Sequence, residues 1–263
     1  MSRPNILFFL TDDHAAPAIS CYNGQLNSTP NIDRIAAEGV RFERTLVTNS
    51  LCAPSRATIL TGTYSHVNGV TTLRTPIDAS QPTFLSLLHD AGYAMAFFGK
   101  WHMGHGPGHD PQDVDYWETF DDQGTYIDPL LHTVNGDIET HGYATDRALA
   151  WLDAQTTDKP WCLLIWHKAP HRPWIYHPRH AHLFEDDIPV PDTFWDDYSN
   201  RATPARAATM RVADNLLDID LKEDPPEDLD YKEMTLWKYR RYLQDYLRCI
   251  AAVDENVECW PCL

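Results

Sequence analysis

Short apolar runs that end abruptly in polar residues are the feature that most constrains the fold of this chain. They are Asn5–Leu10 before Thr11-Asp12-Asp13, Tyr93–Phe98 before Gly99-Lys100, and Trp161–Trp166 before His167-Lys168. Continuous apolar runs of this length are typical of strands that are buried on both faces, and helical patterns separate them. The alternation predicts an α/β fold with a mostly parallel central sheet flanked by helices. In such a fold, ligands bind at the carboxyl ends of the strands.

The remaining patterns complete this outline. We predict one further strand, Val40–Val47, and helices at Thr29–Gly39, Pro54–Gly62, Thr83–Ala91, Asp146–Ala154 and Tyr231–Val253. Residues 173–226 are rich in Pro, Asp and aromatic residues and are rarely periodic, so we expect a long structured excursion across the surface. With 263 residues, the natural expectation is one large domain spanning 1–263.

Charge and hydropathy exclude two classes of partner. Lys and Arg total 21 against 38 Asp and Glu, a net charge of -17, which repels nucleic acid. No apolar run approaches the roughly 20 residues that span a bilayer, so no membrane association is expected. The apolar run after Asn5 is too short for a signal peptide and leads directly into charged residues, so we expect a cytoplasmic protein. The 6 cysteines are too sparse and irregular to form a disulfide framework.

The first polar cluster is Asp12-Asp13, directly after the first predicted strand. Two adjacent carboxylates in a cleft repel one another unless a cation holds them. Oxygen ligands suit a hard ion such as Ca²⁺ or Mg²⁺. The alternative is a solvated acidic turn, and the pair alone does not decide between them.

The second cluster is Cys52-Ala53-Pro54-Ser55-Arg56. Proline is tolerated in the first turn of a helix, so Cys52 is predicted to lie at a helix N-terminus, where backbone N–H groups favour an anion. Arg56 adds a guanidinium. A thiol in this position can act as a nucleophile, whereas the alternative is a small buried residue in a tight turn.

The third cluster follows the strand that ends near Gly99. Lys100 and His102 alternate, so in an extended segment both side chains point to one face, where they suit binding an oxyanion and moving a proton. His105 and His109 suggest zinc, but no carboxylate or thiolate at regular spacing accompanies them. A fourth strand end carries His167, Lys168 and His171, and a purely structural role for one of these histidines stays open.

Together and in this order, these clusters resemble the sulfatase family. The matching segments are Pro4-Asn5-Ile6 through Asp12-Asp13, Thr29-Pro30-Asn31-Ile32-Asp33, Cys52-Ala53-Pro54-Ser55-Arg56-Ala57, Thr61-Gly62, His66, Gly69-Val70, Gly99-Lys100-Trp101-His102 and Lys168-Ala169-Pro170-His171. The resemblance implies an alkaline-phosphatase-like fold and hydrolysis of sulfate esters. It also implies that a separate formylglycine-generating enzyme converts Cys52 to formylglycine, whose hydrated aldehyde attacks sulfur.

The resemblance further implies a role for each site residue. Asp12, Asp13 and the modified Cys52 would bind Ca²⁺ or Mg²⁺, and Arg56 would steady the formylglycine. Lys100 would bind sulfate oxygens, His102 would be the base that deprotonates the diol, and His171 the acid for the leaving oxygen. His167 and Lys168 would line the substrate pocket.

The implied substrate is a sulfated small molecule or glycan. The segments His167-Lys168-Ala169-Pro170-His171-Arg172 and Pro191-Asp192-Thr193-Phe194 resemble the branch acting on sulfated amino sugars of glycosaminoglycans or mucins, such as N-acetylglucosamine-6-sulfatases. Two alternatives stay open. One is a phosphonate monoester or phosphodiester hydrolase of the same superfamily, and the other is a non-catalytic remnant.

The sequence departs from the family pattern after the last predicted helix. Family members continue with a second metal-binding pair (Asp followed by Asn or His), a further Lys and a small C-terminal sheet domain. Asp254-Glu255-Asn256 falls within the region of this helix, and we do not interpret it as that pair. Without that pair, we expect an incomplete catalytic domain and weak metal binding. Because residues 257–263, which include Cys-Trp-Pro-Cys, break the apolar periodicity of the helix, we expect a frameshifted or truncated product.

Overall fold

The computed structural model describes residues 3–24, 26–139, 144–155, 159–258 and 260. The strands are β1 (Ile6–Leu10), β2 (Ala94–Lys100), β3 (Tyr116–Phe120), β4 (Leu130–Thr133), β5 (Ile138–Glu139) and β6 (Trp161–Trp166). The helices are α1 (Ser20–Asn23), α2 (Pro30–Glu38), α3 (Cys52–Thr61), α4 (Ser65–Asn68), α5 (Phe84–Asp90), α6 (Ala144–Asp153), α7 (Thr203–Ala207), α8 (Val212–Asn215), α9 (Asp218–Leu221) and α10 (Tyr231–Glu258). Short 3-10 turns occur at Ala16–Ala18 and Pro178–His180.

The chain divides into two compact units. The first contains the described residues of Met1–Asp12, Val40–Lys168 and Trp260–Leu263, and the second those of Asp13–Gly39 and Ala169–Cys259. The whole sheet therefore lies in the first unit, and the long helix α10 in the second.

The sheet of the first unit has the strand order β1-β6-β2-β3-β4-β5. The pairs β1–β6, β6–β2 and β2–β3 are parallel, whereas β3–β4 and β4–β5 are antiparallel. This arrangement confirms the predicted mostly parallel sheet. The parallel register brings the carboxyl ends of β1, β2, β3 and β6 to the same edge.

Helices cover both faces of this sheet because alternate strand residues point to opposite sides. On one face, Phe97 and Leu164 pack with Leu60 of α3. On the other, Phe98 and Leu163 pack with Ala148 of α6. Each fully buried aliphatic or aromatic side chain of this kind contributes roughly 1.5–3 kcal/mol to folding, which explains why the strands are continuously apolar.

Gly99 is required by the close approach of β2 and β6. Its φ is +109°, and a Cβ atom at this position would lie 2.2 Å from the backbone oxygen of Trp166, its register partner. Glycine alone satisfies both conditions without strain. The residue directly before Lys100 is thus fixed by sheet packing.

The second unit is organised by α10. Tyr239, Leu243, Tyr246 and Ile250 recur at helical spacing and pack with Ala18 in one apolar cluster. The helix also carries Asp254, predicted to lie within it. The Asp254 carboxylate accepts hydrogen bonds from the backbone N–H groups of Asn31 (3.1 Å) and Ile32 (2.9 Å) at the start of α2. It therefore caps the start of α2.

The structure corrects the outline in two places. The predicted strand Val40–Val47 is irregular, and its apolar side chains are solvent-exposed, with Val40 75% and Phe42 72% exposed. Strands β3, β4 and β5 were not predicted. The predicted helices and the other strands agree with the structure to within a few residues.

Residues 173–226 contain the second 3-10 turn and the short helices α7, α8 and α9. Of the Cys-Trp-Pro-Cys segment, only Trp260 lies among the described residues, and its ring packs against Phe9 with ring centroids 6.0 Å apart. Within the described part of the chain, every helix is too short or too polar to cross a membrane.

Candidate active site

Polar side chains from four strand ends of the first unit lie around the start of α3. Asp12 follows β1, Lys100 ends β2, Asp122 and Gln123 follow β3, and Lys168 follows β6. Cys52 is the first residue of α3, two residues earlier than the predicted helix start at Pro54. The sheet therefore delivers the predicted clusters of this unit to one edge.

A buried ionic network forms the centre of this site. Lys100 Nζ donates to Asp12 Oδ2, and Arg56 Nη2 lies 3.5 Å from the same oxygen. The side chains are almost fully buried, with exposed fractions of 0% for Lys100, 3% for Arg56 and 8% for Asp12. Buried charges are tolerated only when they are paired, so these three residues depend on one another.

Arg56 is held on two further sides. Its Nη1 donates to the backbone carbonyl of Lys100, and its guanidinium lies 5.2 Å from the centre of the Trp166 ring. Both contacts restrict a side chain that is otherwise flexible. Arg56 therefore fixes the end of β2 as well as adding positive charge.

Cys52 faces this network. Its Sγ lies 3.5 Å from Asp12 Oδ1 and 3.7 Å from Lys100 Nζ. The position at the start of α3 adds the partial positive charge of the helix N-terminus. Two cationic side chains against a single carboxylate, together with this helix end, make the surroundings of Cys52 electropositive within a strongly acidic protein.

Gln123 links two lysines and was not identified from the sequence. Its Oε1 accepts a hydrogen bond from Lys100 Nζ (2.6 Å), and its backbone oxygen accepts one from Lys168 Nζ (3.0 Å). Lys168 also lies 5.1 Å from the centre of the Tyr126 ring. Gln123 could have been identified as a site residue from its position after β3, but that strand was not predicted.

His102 is close to Lys100, but the geometric reason that we gave for this is wrong. Its φ is +56°, so the segment is left-handed and not extended. His102 Nε2 lies 2.7 Å from Asp122 Oδ1. Burial, and secondarily the Lys100 ammonium, lower the pKa of His102 to about 4, against the opposing effect of Asp122. The imidazole is therefore neutral near pH 7 and can accept a proton.

His167 occupies a different environment. Its ring stacks on Phe9 with ring centroids 6.1 Å apart, and its backbone N–H donates to the carbonyl of Leu10 (2.8 Å). Burial lowers the pKa of His167 to about 4. These contacts give His167 a packing function, while its predicted contact with substrate stays a prediction.

Asp13 and His171 belong to the second unit. Asp13 has a φ of +62°, and its backbone oxygen accepts a hydrogen bond from Tyr246 Oη (3.0 Å). His171 Nε2 lies 3.7 Å from Asp13 Oδ2, and its Nδ1 lies 2.6 Å from the backbone oxygen of Arg172. Because a carbonyl only accepts, Nδ1 carries a hydrogen, and Nε2 faces the carboxylate.

A cavity of about 330 Å³ lies next to Asp13 in the same unit. Its walls include four aromatic side chains, Trp174, Tyr239, Tyr242 and Tyr246. This volume is at the lower end of the range of small-molecule sites, and aromatic walls are suited to the faces of sugar rings.

The predicted metal ligands are oxygen atoms, which suit a hard cation, but they are fewer than such a cation takes. Asp12, Asp13 and an oxygen at position 52 are the predicted ligands, whereas calcium takes about 6–8 oxygens. Asp12 also engages Lys100 and Arg56, which already balance its charge. The predicted ligands are therefore fewer than the oxygens that a calcium ion takes.

Comparisons with known proteins identify the family of this chain. The sulfatase family model matches residues 4–259. The chain is 38% identical to an N-acetylglucosamine-6-O-sulfatase of Bacteroides thetaiotaomicron, covering 97% of this chain and 54% of that protein. It is 33% identical to the uncharacterised sulfatase YidJ of Escherichia coli, over 66% of this chain and 40% of that protein.

A solved structure of BT4656 in complex with its substrate D-glucosamine-2-N,6-O-disulfate has the same fold, with a TM-score of 0.90 and 37% identity. The match covers 98% of this chain and 61% of that one, and it confirms the predicted fold class. The chain thus spans about half the length of the first curated relative that it matches. Because the family model matches nearly all of its residues, this chain belongs to the sulfatase family.

Proposed function

We propose that this chain hydrolyses sulfate esters, with position 52 as the nucleophile. The observation that supports this most directly is the environment of Cys52. A thiol at the start of a helix lies within 3.7 Å of the Lys100 ammonium and 3.5 Å of the Asp12 carboxylate.

The charges around position 52 suit a sulfate group. A sulfate monoester carries one negative charge and three acceptor oxygens, and Lys100 is the proposed donor to these oxygens. Lys168 adds a second ammonium, tied to Lys100 through Gln123. Arg56 orients the backbone at Lys100. Preorganised donors of this kind stabilise negative charge that develops in a transition state.

Two groups would complete the chemistry. Formylglycine, made from Cys52 by a formylglycine-generating enzyme, supplies hydroxyls of a hydrated aldehyde. Asp12, Asp13 and position 52 would hold Ca²⁺ or Mg²⁺, which supplies positive charge there. Both are proposed from the family and from the type of donor atoms present.

Two histidines would move the protons. His102 is the proposed base, because its ring lies beside the Lys100 network and its Nε2 is 2.7 Å from Asp122 Oδ1, a carboxylate that can orient the ring. His171 Nε2 faces Asp13, and since Nδ1 donates to a carbonyl, Nε2 carries a hydrogen only in the cationic ring. The Asp13 carboxylate attracts that cation, which suits His171 to protonate a leaving oxygen.

We infer that the substrate is a sulfated amino sugar, with the ester at a 6-oxygen of the glucosamine type. The 38% identity to an N-acetylglucosamine-6-O-sulfatase supports this inference. His167 and Lys168 are the proposed pocket residues, with Lys168 the better placed because its ammonium belongs to the Gln123 network.

Expression together with a formylglycine-generating enzyme tests the first step. The tryptic peptide 45–56, bounded by Arg44 and Arg56, contains Cys52 as its single cysteine. Mass spectrometry should show that oxygen has replaced sulfur and that two hydrogens are lost. An unchanged thiol under these conditions would refute the proposed nucleophile. Cys21, which is also partly buried, is the internal control that should stay unmodified.

Turnover is then measured with calcium present. N-acetylglucosamine 6-sulfate should be hydrolysed faster by the modified protein than by the C52A variant. An aryl sulfate and an aryl phosphonate serve as comparison substrates, and a faster reaction with the phosphonate would favour a phosphonate hydrolase. Absence of turnover with a confirmed aldehyde and excess calcium would indicate a non-catalytic protein.

A further inference from the structure

A second group of metal-ligand side chains lies in the first unit, separate from Cys52. His105 Nε2 lies 2.8 Å from Asp121 Oδ1, and His132 Nε2 lies 3.6 Å from Asp121 Oδ2. The two imidazole rings are 4.4 Å apart, and one ligand atom from each of the three residues falls within 4.8 Å of the others. We call these residues the His105 cluster.

A carboxylate holds the outer nitrogen of one imidazole, and a second carboxylate lies near the outer nitrogen of the other. His132 Nδ1 lies 2.7 Å from Asp137 Oδ1, and His105 Nδ1 lies 3.4 Å from Asp110 Oδ1. Metal-binding histidines nearly always present their second nitrogen to a carboxylate, a carbonyl or water, which fixes the ring and raises its basicity. Three carboxylates around two imidazoles leave an excess of negative charge that a divalent cation would balance.

The backbone fixes the relative positions of these side chains. In the β3–β4 ladder, His132 pairs with Thr119, and Asp121 follows two residues later. The Gly106 N–H donates to Asp110 Oδ1 (3.1 Å), which closes the segment after His105. His105 and His132 are only 25% and 20% exposed, whereas Asp121 is 73% exposed. The cluster is therefore preformed and open to solvent at the carboxylate.

His109, the other histidine in the Gly-rich stretch, points elsewhere. Its Nδ1 lies 2.6 Å from the backbone oxygen of Ile77, so it links two loops and does not join the cluster. The sequence hint of zinc thus applies to His105 alone. Its partners come from β4 and from the end of β3, too far along the chain for a spacing motif to reveal them.

We propose that the His105 cluster binds a divalent transition metal of the zinc class, through two imidazole nitrogens and the Asp121 carboxylate, with water completing the shell. Two nitrogens and one oxygen suit zinc and are a poor set for calcium, which takes oxygens. Asp121 directly precedes Asp122 and Gln123, which contact His102 and Lys100. A metal on Asp121 would hold this segment in its observed conformation.

Calorimetric titration of ZnCl₂ into the full chain at pH 7 tests the proposal. Cys52, Cys259 and Cys262 are replaced by serine, so that no thiolate at these positions contributes. We expect one zinc ion per chain and no displacement by excess calcium. Substitution of cobalt should give visible bands without a thiolate charge-transfer band.

Single substitutions in that background locate the ion. H132Q and D121N should abolish zinc binding, and D137N should weaken it about 10- to 100-fold, as expected for the outer partner of a ligand. H66Q, at an exposed histidine of α4, is the matched control and should bind as the background does. Circular dichroism of each variant checks that the fold is retained.

Two results would overturn the proposal. One is the absence of zinc binding, in which case the three side chains of the cluster only contact one another. The other is binding that persists in both H132Q and D121N. Zinc should also slow hydrogen exchange across residues 119–123, and unchanged exchange in the zinc-bound protein would refute the positioning role. None of these readouts requires formylglycine or turnover, so they are independent of the proposed hydrolysis.

Discussion

Replacing Gly99 with alanine tests how closely β2 and β6 must approach for Lys100 to reach Asp12. The new Cβ would lie 2.2 Å from the backbone oxygen of Trp166 and 3.0 Å from its carbonyl carbon. Neither atom can rotate away, because both belong to a paired strand. The alanine would also have to keep a backbone φ of +109°, which residues with a Cβ atom rarely adopt.

The magnitude follows from these two effects. A strained backbone conformation costs of the order of 1–3 kcal/mol. Overpacking of a rigid core adds about 1–3 kcal/mol. We therefore expect G99A to lose about 2–6 kcal/mol of unfolding free energy, a large share of the roughly 5–15 kcal/mol typical of a folded protein.

Gly136 provides a matched control. It has the same φ of +109°, but a Cβ there would meet no other atom within 4 Å. G136A should therefore show the backbone cost alone, about 1–3 kcal/mol. Urea unfolding of both variants, followed by tryptophan fluorescence and circular dichroism, gives the difference. If G99A costs no more than G136A, the contact with Trp166 does not limit the strand spacing and the reasoning fails.

Three further predictions concern the charged groups. K100M should destabilise the fold by about 3–5 kcal/mol, because the buried Asp12 loses its nearest cation, and unchanged urea stability would contradict this. His167 has a folded pKa of about 4 against an ordinary 6.5, so its contribution to stability is fully present above pH 6.5 and is lost as the pH falls towards 4. In the H167Q variant, the loss of unfolding free energy between pH 6.5 and pH 4 should be about 3 kcal/mol smaller than in the unmodified protein. An equal loss in both proteins would refute the lowered pKa of His167. Calcium titrated into the formylglycine form should bind with a dissociation constant of about 10⁻⁴ M or weaker, since few oxygens are offered, and submicromolar binding in calorimetry would show that ligands have been overlooked.

The strands that could be predicted are those whose physical signature is local. Trp161–Trp166 is apolar at every position because both faces of β6 are buried, and its predicted limits are those observed. Strand β3 lacks this signature because Glu118 lies in its middle. That residue is 2% exposed and pairs with Arg147 of α6, a partner that no local pattern reveals.

Val40–Val47 fails for the opposite reason. Its apolar residues satisfy a strand pattern, yet Leu46 is 92% and Val40 75% exposed, so the segment buries little of the apolar surface that would favour an extended ladder. An apolar pattern shows that a segment can form a strand, but the segment does so only where its side chains are buried against neighbours.

The residues of the candidate site likewise divide into those that the sequence predicts and those that it does not. Asp12, Cys52 and Lys100 could be found because each lies at an element boundary that the sequence marks clearly. Asp122 and Gln123 follow the unrecognised β3 and were missed. The orientation of His102 could not be inferred either, because a positive φ at a non-glycine residue has no reliable sequence signal.

The segment Asp121-Asp122-Gln123 has a consequence for how this protein can vary. Each of its residues faces a different group: Asp121 the two histidines of the His105 cluster, Asp122 His102, and Gln123 two lysines. Inserting or deleting one residue here would shift all these pairings together, whereas a point substitution disturbs a single one. Natural variants should therefore tolerate changes of residue type in this loop far better than changes of its length.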